Sequence, residues 1–349
     1  MLSQATSRTP EPDFGPPHPP FERLVGAAEN PVPDGTETLT ILTSDGVRLR
    51  AAAWRGFGSP RGAVLLLQGR AEFIEKAFEV VGELRSRGLD VFTFDWRGQG
   101  GSDRALADAR RGHVRHFSDF RHDLMAAQEA MEGRGLGPGP VHVLAHSMGG
   151  CIALTGAAEG WLKADSLVAL APMIGLSLVR RTALARGLSG VLNLAGLGEL
   201  SVPGGRVMSI SSLPFAGNPL CSDRRRYERN AAVAAALGSG AIGSPTIGWV
   251  AAAFDAMGRL SEPGLAEAIR IPVLLAAAGA DPICSTPAVE AFARRLPNGR
   301  YLLVPGALHE ILHESDPIRE LFWRAFDDFL AGGLPSRTAA PGPAVALSP

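Results

Sequence analysis

Short apolar runs alternate with segments of helical period along this chain, and that alternation limits the fold more than any other feature. The spacing predicts strands over Thr38–Thr43 and Val47–Trp54, joined by the turn Ser44-Asp45-Gly46. Further strands are predicted over Ala63–Leu67, Asp90–Phe94, Val141–Ala145 and Ser166–Leu170. Helices are predicted between them over Phe73–Arg87, Phe117–Met131 (begun by Ser118) and Met148–Glu159. From 175 to about 263 the pattern becomes helical and rich in small residues, with glycine and proline breaks. Alternation then resumes with a strand over Pro272–Ala277, a helix over Thr286–Arg295, a strand over Arg300–Val304 and a helix over Pro317–Leu330. Strand–helix alternation on both sides of a helical insert predicts an α/β architecture: a doubly wound, mostly parallel sheet carrying a helical lid. Such sheets hold ligands beyond the C-terminal ends of their strands.

The predicted organisation is therefore a core of residues 35–174 and 264–332 with a lid over 175–263. Residues 1–34 and 333–349 are rich in proline and small or polar residues and read as a disordered or strap-like tail and a disordered tail. The 34 basic and 35 acidic residues leave a net charge of −1, which excludes the electrostatic footprint of a nucleic-acid binder. Basic residues are nearly all arginine, and neither Lys76 nor Lys163 follows a glycine, so there is no Walker-type phosphate loop. Cys151, Cys221 and Cys284 are too few and too far apart for a disulfide framework. No run of about 18 apolar residues occurs. The first residues do not read as a secretion signal, so a cytoplasmic protein is expected.

The segment VHVLAHSMGG (141–150) passes from a predicted strand to a predicted helix through Ser147. A nucleophile elbow needs this context, with small neighbours that let the serine project from the sheet. Gly149 and Gly150 supply them downstream; Ala145 stands where G-x-S-x-G has its first glycine. The plain alternative is a serine that caps an ordinary helix. An activated serine requires a base and an acid that orients it, and in this chain order both should follow late strands. Asp281 follows the strand before GADPI, and His309 follows the strand before GALHE. Asp255 and Asp316 are weaker acid candidates because neither follows a strand. Cys151, one turn beyond Ser147, is expected to pack on the sheet.

Residues 309–313 also read H-E-x-x-H, the pattern of a zinc site on a helix with Glu310 as base. The match begins at a strand-to-loop junction and Pro317 limits any helix through it, so His313 is expected to be structural and no metal is expected. His113, His116 and His122 are expected in solvated or capping roles. The GSGAIG segment (238–243) follows a helical alanine run, not a strand, which argues against a dinucleotide cofactor. Two oxyanion donors are expected: the N–H of Met148 and the N–H of Arg70, in the glycine-containing loop after the third strand. The Arg70 side chain is expected to pair with Glu72 or Glu75.

Several ordered motifs carry a family resemblance: QGRAEFIEK (68–76), FDWRGQGGSDR (94–104), HFSDFRHDL (116–124), AHSMGG (145–150), NPLCSDRRRYERN (218–230), GSPTIGWV (243–250), GADPI (279–283) and GALHEILHE (306–314). Over about residues 36–332 the chain resembles the lysophospholipase and monoacylglycerol lipase branch of the α/β-hydrolases, which also carries the serine aminopeptidase label. Bacterial lysophospholipases are the members it looks most like. The resemblance implies an α/β-hydrolase fold, Ser147, Asp281 and His309 as catalytic triad, and Arg70 and Met148 as oxyanion donors. It departs from many relatives at Gln68, where they carry histidine, and at Ala145. The implied activity is hydrolysis of a small acyl ester, a lysophospholipid or monoacylglycerol, with no metal or organic cofactor. A peptidase of small substrates and a catalytically silent binding protein are the alternatives. Leu176, Leu178, Val179, Leu184, Val191, Leu192 and Leu194 are candidates for an acyl channel or for the lid's own core, and the lid is a candidate for peripheral membrane contact. The run Asp223–Arg229 is a candidate phosphate site or, alternatively, a solvated helix face.

Overall fold

The computed structural model describes residues 23–136, 139–179 and 181–332. Eight strands, β1 (Glu37–Leu42), β2 (Arg48–Trp54), β3 (Ala63–Leu67), β4 (Asp90–Phe94), β5 (Val141–His146), β6 (Ser166–Leu170), β7 (Val273–Ala278) and β8 (Gly299–Val304), form one sheet. Their order is β1-β2-β4-β3-β5-β6-β7-β8. β2 runs antiparallel to β1 and β4, and every other pairing is parallel. The helices are α1 (Phe78–Ser86), α2 (Phe120–Gly133), α3 (Met148–Glu159), α4 (Thr182–Leu192), α5 (Arg224–Leu237), α6 (Ile247–Leu260), α7 (Leu265–Ala268), α8 (Thr286–Ala293) and α9 (Asp316–Leu330).

The two faces of the sheet explain why its central strands are continuously apolar. Leu65, Phe92, Val143, Leu167 and Leu275 pack with residues of α2, α3, α6 and α8 on one side. Their neighbours Val64, Val91, Leu144, Val168 and Leu274 pack with α1 and α9 on the other. A parallel sheet covered on both faces must be apolar at both phases of the strand period. β1, at the edge, alternates between buried and exposed residues instead.

Two expectations change in detail. The predicted helix 73–87 opens as a 3-10 turn over Ile74–Ala77 before α1. Ser118 lies inside a 3-10 turn, Phe117–Asp119, which is preceded by His116; the His116 N–H donates to the Asp119 carboxylate at 3.4 Å. Of the expected N-terminal tail, residues 1–22 lie outside the described residues, as do 333–349. Residues 23–34 form a strap on the core: Leu24 is buried, and Asn30 Nδ2 donates to the Glu75 carbonyl at 2.8 Å.

The insert between β6 and β7 is helical, with α4, α5 and α6. α6 belongs to the main core, where Ala252, Ala253, Phe254, Met257 and Leu260 are buried. His113 Nδ1 lies 2.8 Å from Thr246 Oγ1, which caps α6. Asp223–Arg229 is in part the solvated, locally paired face expected: Arg224 is exposed and pairs with Glu228, and Arg226 pairs with Asp223. Arg226 and Arg229 reach across to Glu79 on α1, and Arg226 also bonds Asp316 on α9.

Candidate active site

The sharp turn after β5 is dictated by its glycines. Ser147 sits at φ 50°, ψ −112°, a strained conformation for a residue with a side chain. A Cβ on Gly149 would lie 2.6 Å from the Gln68 carbonyl, and one on Gly150 would lie 2.8 Å from Pro172. The turn can therefore be this tight only with glycine at both positions. It projects Ser147 from the C-terminal edge of the sheet as the first turn of α3 begins.

Asp281 and His309 arrive at the same edge from the ends of β7 and β8. Ser147 Oγ is 3.0 Å from His309 Nε2, and His309 Nδ1 is 2.8 Å from Asp281 Oδ2. Asp281 Oδ1 accepts from the N–H groups of Ile283 at 2.8 Å and Cys284 at 3.0 Å. Burial works against the Asp281 charge, but the His309 imidazole and these N–H groups outweigh it and hold the carboxyl below its ordinary range. All three expected residues thus meet within hydrogen-bond reach. Asp255 and Asp316 do not: they are exposed and pair with Arg186 and Arg226.

The loop after β3 lies against the serine. A Cβ on Gly69 would fall 3.2 Å from Ser147 Cβ. Gln99 holds this loop, donating from Nε2 to the Gly69 and Glu72 carbonyls at 2.8 and 3.0 Å and accepting from the Ala71 N–H at 3.2 Å. Arg70 sits between those anchors, and Met148 opens α3, where an N–H has no helical partner. The Arg70 side chain departs from expectation. It pairs with neither Glu72 nor Glu75 but runs to the insert, donating from Nη2 to the Gly243 carbonyl at 2.8 Å and stacking 5.0 Å over Trp249. Burial pushes its pKa down to about 9. Gln68 Nε2 donates to Thr93 Oγ1 at 3.3 Å.

The HEILH segment is a loop and a 3-10 turn, Ile311–His313, and not a helix. Both ring nitrogens of His309 are engaged by Ser147 and Asp281, and Glu310 pairs with Lys76. The zinc-helix geometry is therefore not formed. Cys151 is buried against the sheet, and its thiol is pushed up to about 12 by burial, which leaves it a poor nucleophile.

Sequence reasoning took Glu72 only as a partner for Arg70 and gave His146 no part in the site. Glu72 Oε2 accepts from the Gly69 N–H at 2.5 Å and lies 3.2 Å from His146 Nδ1. His146 Nε2 lies 3.1 Å from the His309 carbonyl oxygen. The available signal was Lys76, one of two lysines in an arginine-rich chain, four residues after Glu72.

A strained serine on an elbow, faced by a histidine and an aspartate at the ends of later strands, defines the α/β-hydrolase class. The serine aminopeptidase S33 family (Hydrolase_4) matches residues 58–316, and the chain belongs to that family. Lysophospholipase L2 of Escherichia coli K12 is 33% identical over 280 residues, 76% of this chain and 79% of that protein. The monoglyceride lipase of Saccharomyces cerevisiae is 29% identical over 119 residues, 33% of this chain and 37% of that protein. Among solved structures, a soluble variant of the yeast monoglyceride lipase with a substrate analogue superposes with a TM-score of 0.67 at 20% identity. The match covers 87% of this chain and 98% of that one. No helix among the described residues is long and apolar enough to cross a membrane.

Proposed function

We propose that the protein is a serine hydrolase of carboxylic esters that cleaves lysophospholipids or monoacylglycerols through a Ser147–His309–Asp281 triad. The observation that carries this reading is the 3.0 Å and 2.8 Å chain from Ser147 through His309 to Asp281 on a strained elbow. Similarity along most of the length of a lysophospholipase favours a monoacyl lipid as substrate.

His309 Nε2 takes the proton of Ser147 Oγ as the oxygen attacks the ester carbonyl. Asp281 holds the imidazole in the tautomer with Nδ1–H and stabilises the imidazolium. The N–H groups of Arg70 and Met148 hold the oxyanion of the tetrahedral intermediate. Collapse expels the alcohol, which takes its proton from His309, and leaves an acyl ester on Ser147. Water, deprotonated by His309, then releases the fatty acid.

In this reading residues 35–174 and 264–332 are the catalytic core and 175–263 the lid. The lid also makes peripheral contact with the lipid surface. Leu184, Leu188 and Val191 recur at one face of α4 and are each more than half exposed, and Leu178 and Leu194 are exposed as well. Of the other candidates for an acyl channel or lid core, Leu176 and Val179 pack against the main core. Three buried free thiols support a cytoplasmic setting.

The test compares release of fatty acid from lysophosphatidylcholine and monoolein with release of amine from an aminoacyl anilide, using Ser147→Ala as control. Ester turnover that dominates and disappears in the variant is expected. Dominant amide turnover would replace the reading with a peptidase. Absence of all turnover in folded protein would replace it with a silent binding protein.

A further inference from the structure

A buried polar cluster lies directly beneath the proposed triad, and the mechanism above makes no use of it. Around a cavity of about 40 Å³ stand Glu72, Lys76, His146, Glu310 and His313. Lys76 Nζ is 3.4 Å from Glu72 Oε1 and also bonds Glu310. The side chains of His146 and Glu72 are only 12% and 11% exposed.

His146 faces an acceptor at each ring nitrogen. Nδ1 meets the Glu72 carboxylate, and Nε2 meets the His309 carbonyl oxygen. A carbonyl oxygen cannot donate, so Nε2 must carry hydrogen, and against an ionised Glu72, which only accepts, Nδ1 must carry one as well. Each bond reaches a different part of the site. Through Glu72, which takes the Gly69 N–H, the ring is tied to the loop of the Arg70 oxyanion donor. Through the His309 carbonyl it is tied to the loop of the base.

Resting on the triad reading, we propose that His146, seated on Glu72, is a positioning residue for ester hydrolysis. In its doubly protonated form it clamps the loop of the base to the loop of the oxyanion donor.

The groups facing His146 from the packed elements support that protonation. Glu72 comes from the loop after β3, Lys76 from the turn before α1, and Glu310, His309 and His313 from the segment after β8. Burial opposes a charge on His146, but Glu72 and Glu310 outweigh it and raise its pKa. Burial equally opposes the Glu72 charge, and His146 and Lys76 hold that carboxyl well below its ordinary range. Burial and Lys76 keep His313 neutral. Two carboxylates, Glu72 and Glu310, thus face two cations, Lys76 and His146. Loss of the His146 proton leaves a lone pair on Nε2 against the His309 carbonyl oxygen and releases the clamp. Activity therefore requires His146 charged.

The experiment is the pH profile of kcat for a soluble short-chain ester and of labelling by a fluorophosphonate. It uses wild type, Glu72→Gln and His146→Asn, with Ser147→Ala as control and folding checked by circular dichroism. Wild-type activity should fall on an alkaline limb. Glu72→Gln keeps an acceptor for the Gly69 N–H but removes the charge, so the alkaline limb should move about one unit or more to lower pH. His146→Asn should lose that limb, with kcat about tenfold to a hundredfold lower and KM little changed. An alkaline limb that persists in folded His146→Asn, or stays in place in folded Glu72→Gln, overturns the clamp. A wild-type rate without any alkaline limb overturns it whatever the variants do. Wild type that fails to label at Ser147 removes the triad reading itself, and the clamp with it.

Discussion

Glu79 on α1 is the hub that ties the insert to the body of the molecule, and replacing it by glutamine is a quantitative test of that tie. Its carboxylate accepts from Arg226 at 2.7 to 3.1 Å, from Arg229 at 2.7 Å and from Arg319 at 3.1 Å. Partial burial works against the charge, but the three guanidinium groups outweigh it and bring the carboxyl from 4.5 down to about 2. At about 1.4 kcal/mol per unit, that difference makes the charged hub worth about 3 kcal/mol of folding stability. The sign follows from the depressed folded-state value. The contribution is complete above the unfolded-state value near 4.5 and is lost as pH falls through about 2. Urea unfolding of wild type and Glu79→Gln should therefore differ by about 3 kcal/mol at pH 6 and by less than half of that at pH 3. The side chain is 24% exposed, so moderate salt should change the difference little. A difference under about 1 kcal/mol at pH 6 would refute the hub. So would one that stays constant down to pH 3.

Further outcomes follow from other contacts. Arg50, 2% exposed, bonds both Glu75 and Asp95, so Arg50→Met should strand two buried carboxylates and cost about 3–5 kcal/mol by urea unfolding. A Cβ on Gly69 would meet His146 Nδ1 at 3.0 Å, Glu72 Oε2 at 3.1 Å and Ser147 Cβ at 3.2 Å. Gly69→Ala should accordingly lower kcat about 100-fold with a small change in melting temperature; wild-type kcat would contradict the placement of the oxyanion loop. Asp281→Asn should lower kcat by about 10⁴ while leaving the fold intact, as seen by circular dichroism. Replacing Leu184, Leu188 and Val191 together by serine should weaken sedimentation with lipid vesicles and leave turnover of a soluble short-chain ester unchanged.

The parts of this account that were legible in sequence are those fixed by local pattern. β3, β4, β6 and α3 begin and end where the apolar runs do, because a strand buried on both faces cannot hide its composition. Ser147, Asp281 and His309 were legible because each follows a readable strand on the edge where such sheets carry their ligands. Side-chain partners were not. Arg70 has glutamates two and five residues away, yet it turns to Gly243, which is remote in sequence and is brought near only by folding of the insert. The run Asp223–Arg229 reads as a phosphate site or a solvated face, whereas Arg226 and Arg229 also share a carboxylate on α1, about 150 residues earlier. His146 reads as an ordinary elbow residue, and its role depends on a carboxylate 74 residues before it and a carbonyl 163 residues after it. Contacts of this kind are set by the packing of the whole sheet, which no local period encodes.

The central claim is that Ser147 is an activated nucleophile made so by His309. The most direct measurement is to react the folded protein with a fluorophosphonate, locate the adduct by peptide mass mapping, and repeat with His309→Ala. A single adduct on the peptide bearing Ser147, formed at least 100-fold more slowly in His309→Ala, is the expected result. An adduct on another residue, or one formed equally fast without His309, would contradict the account.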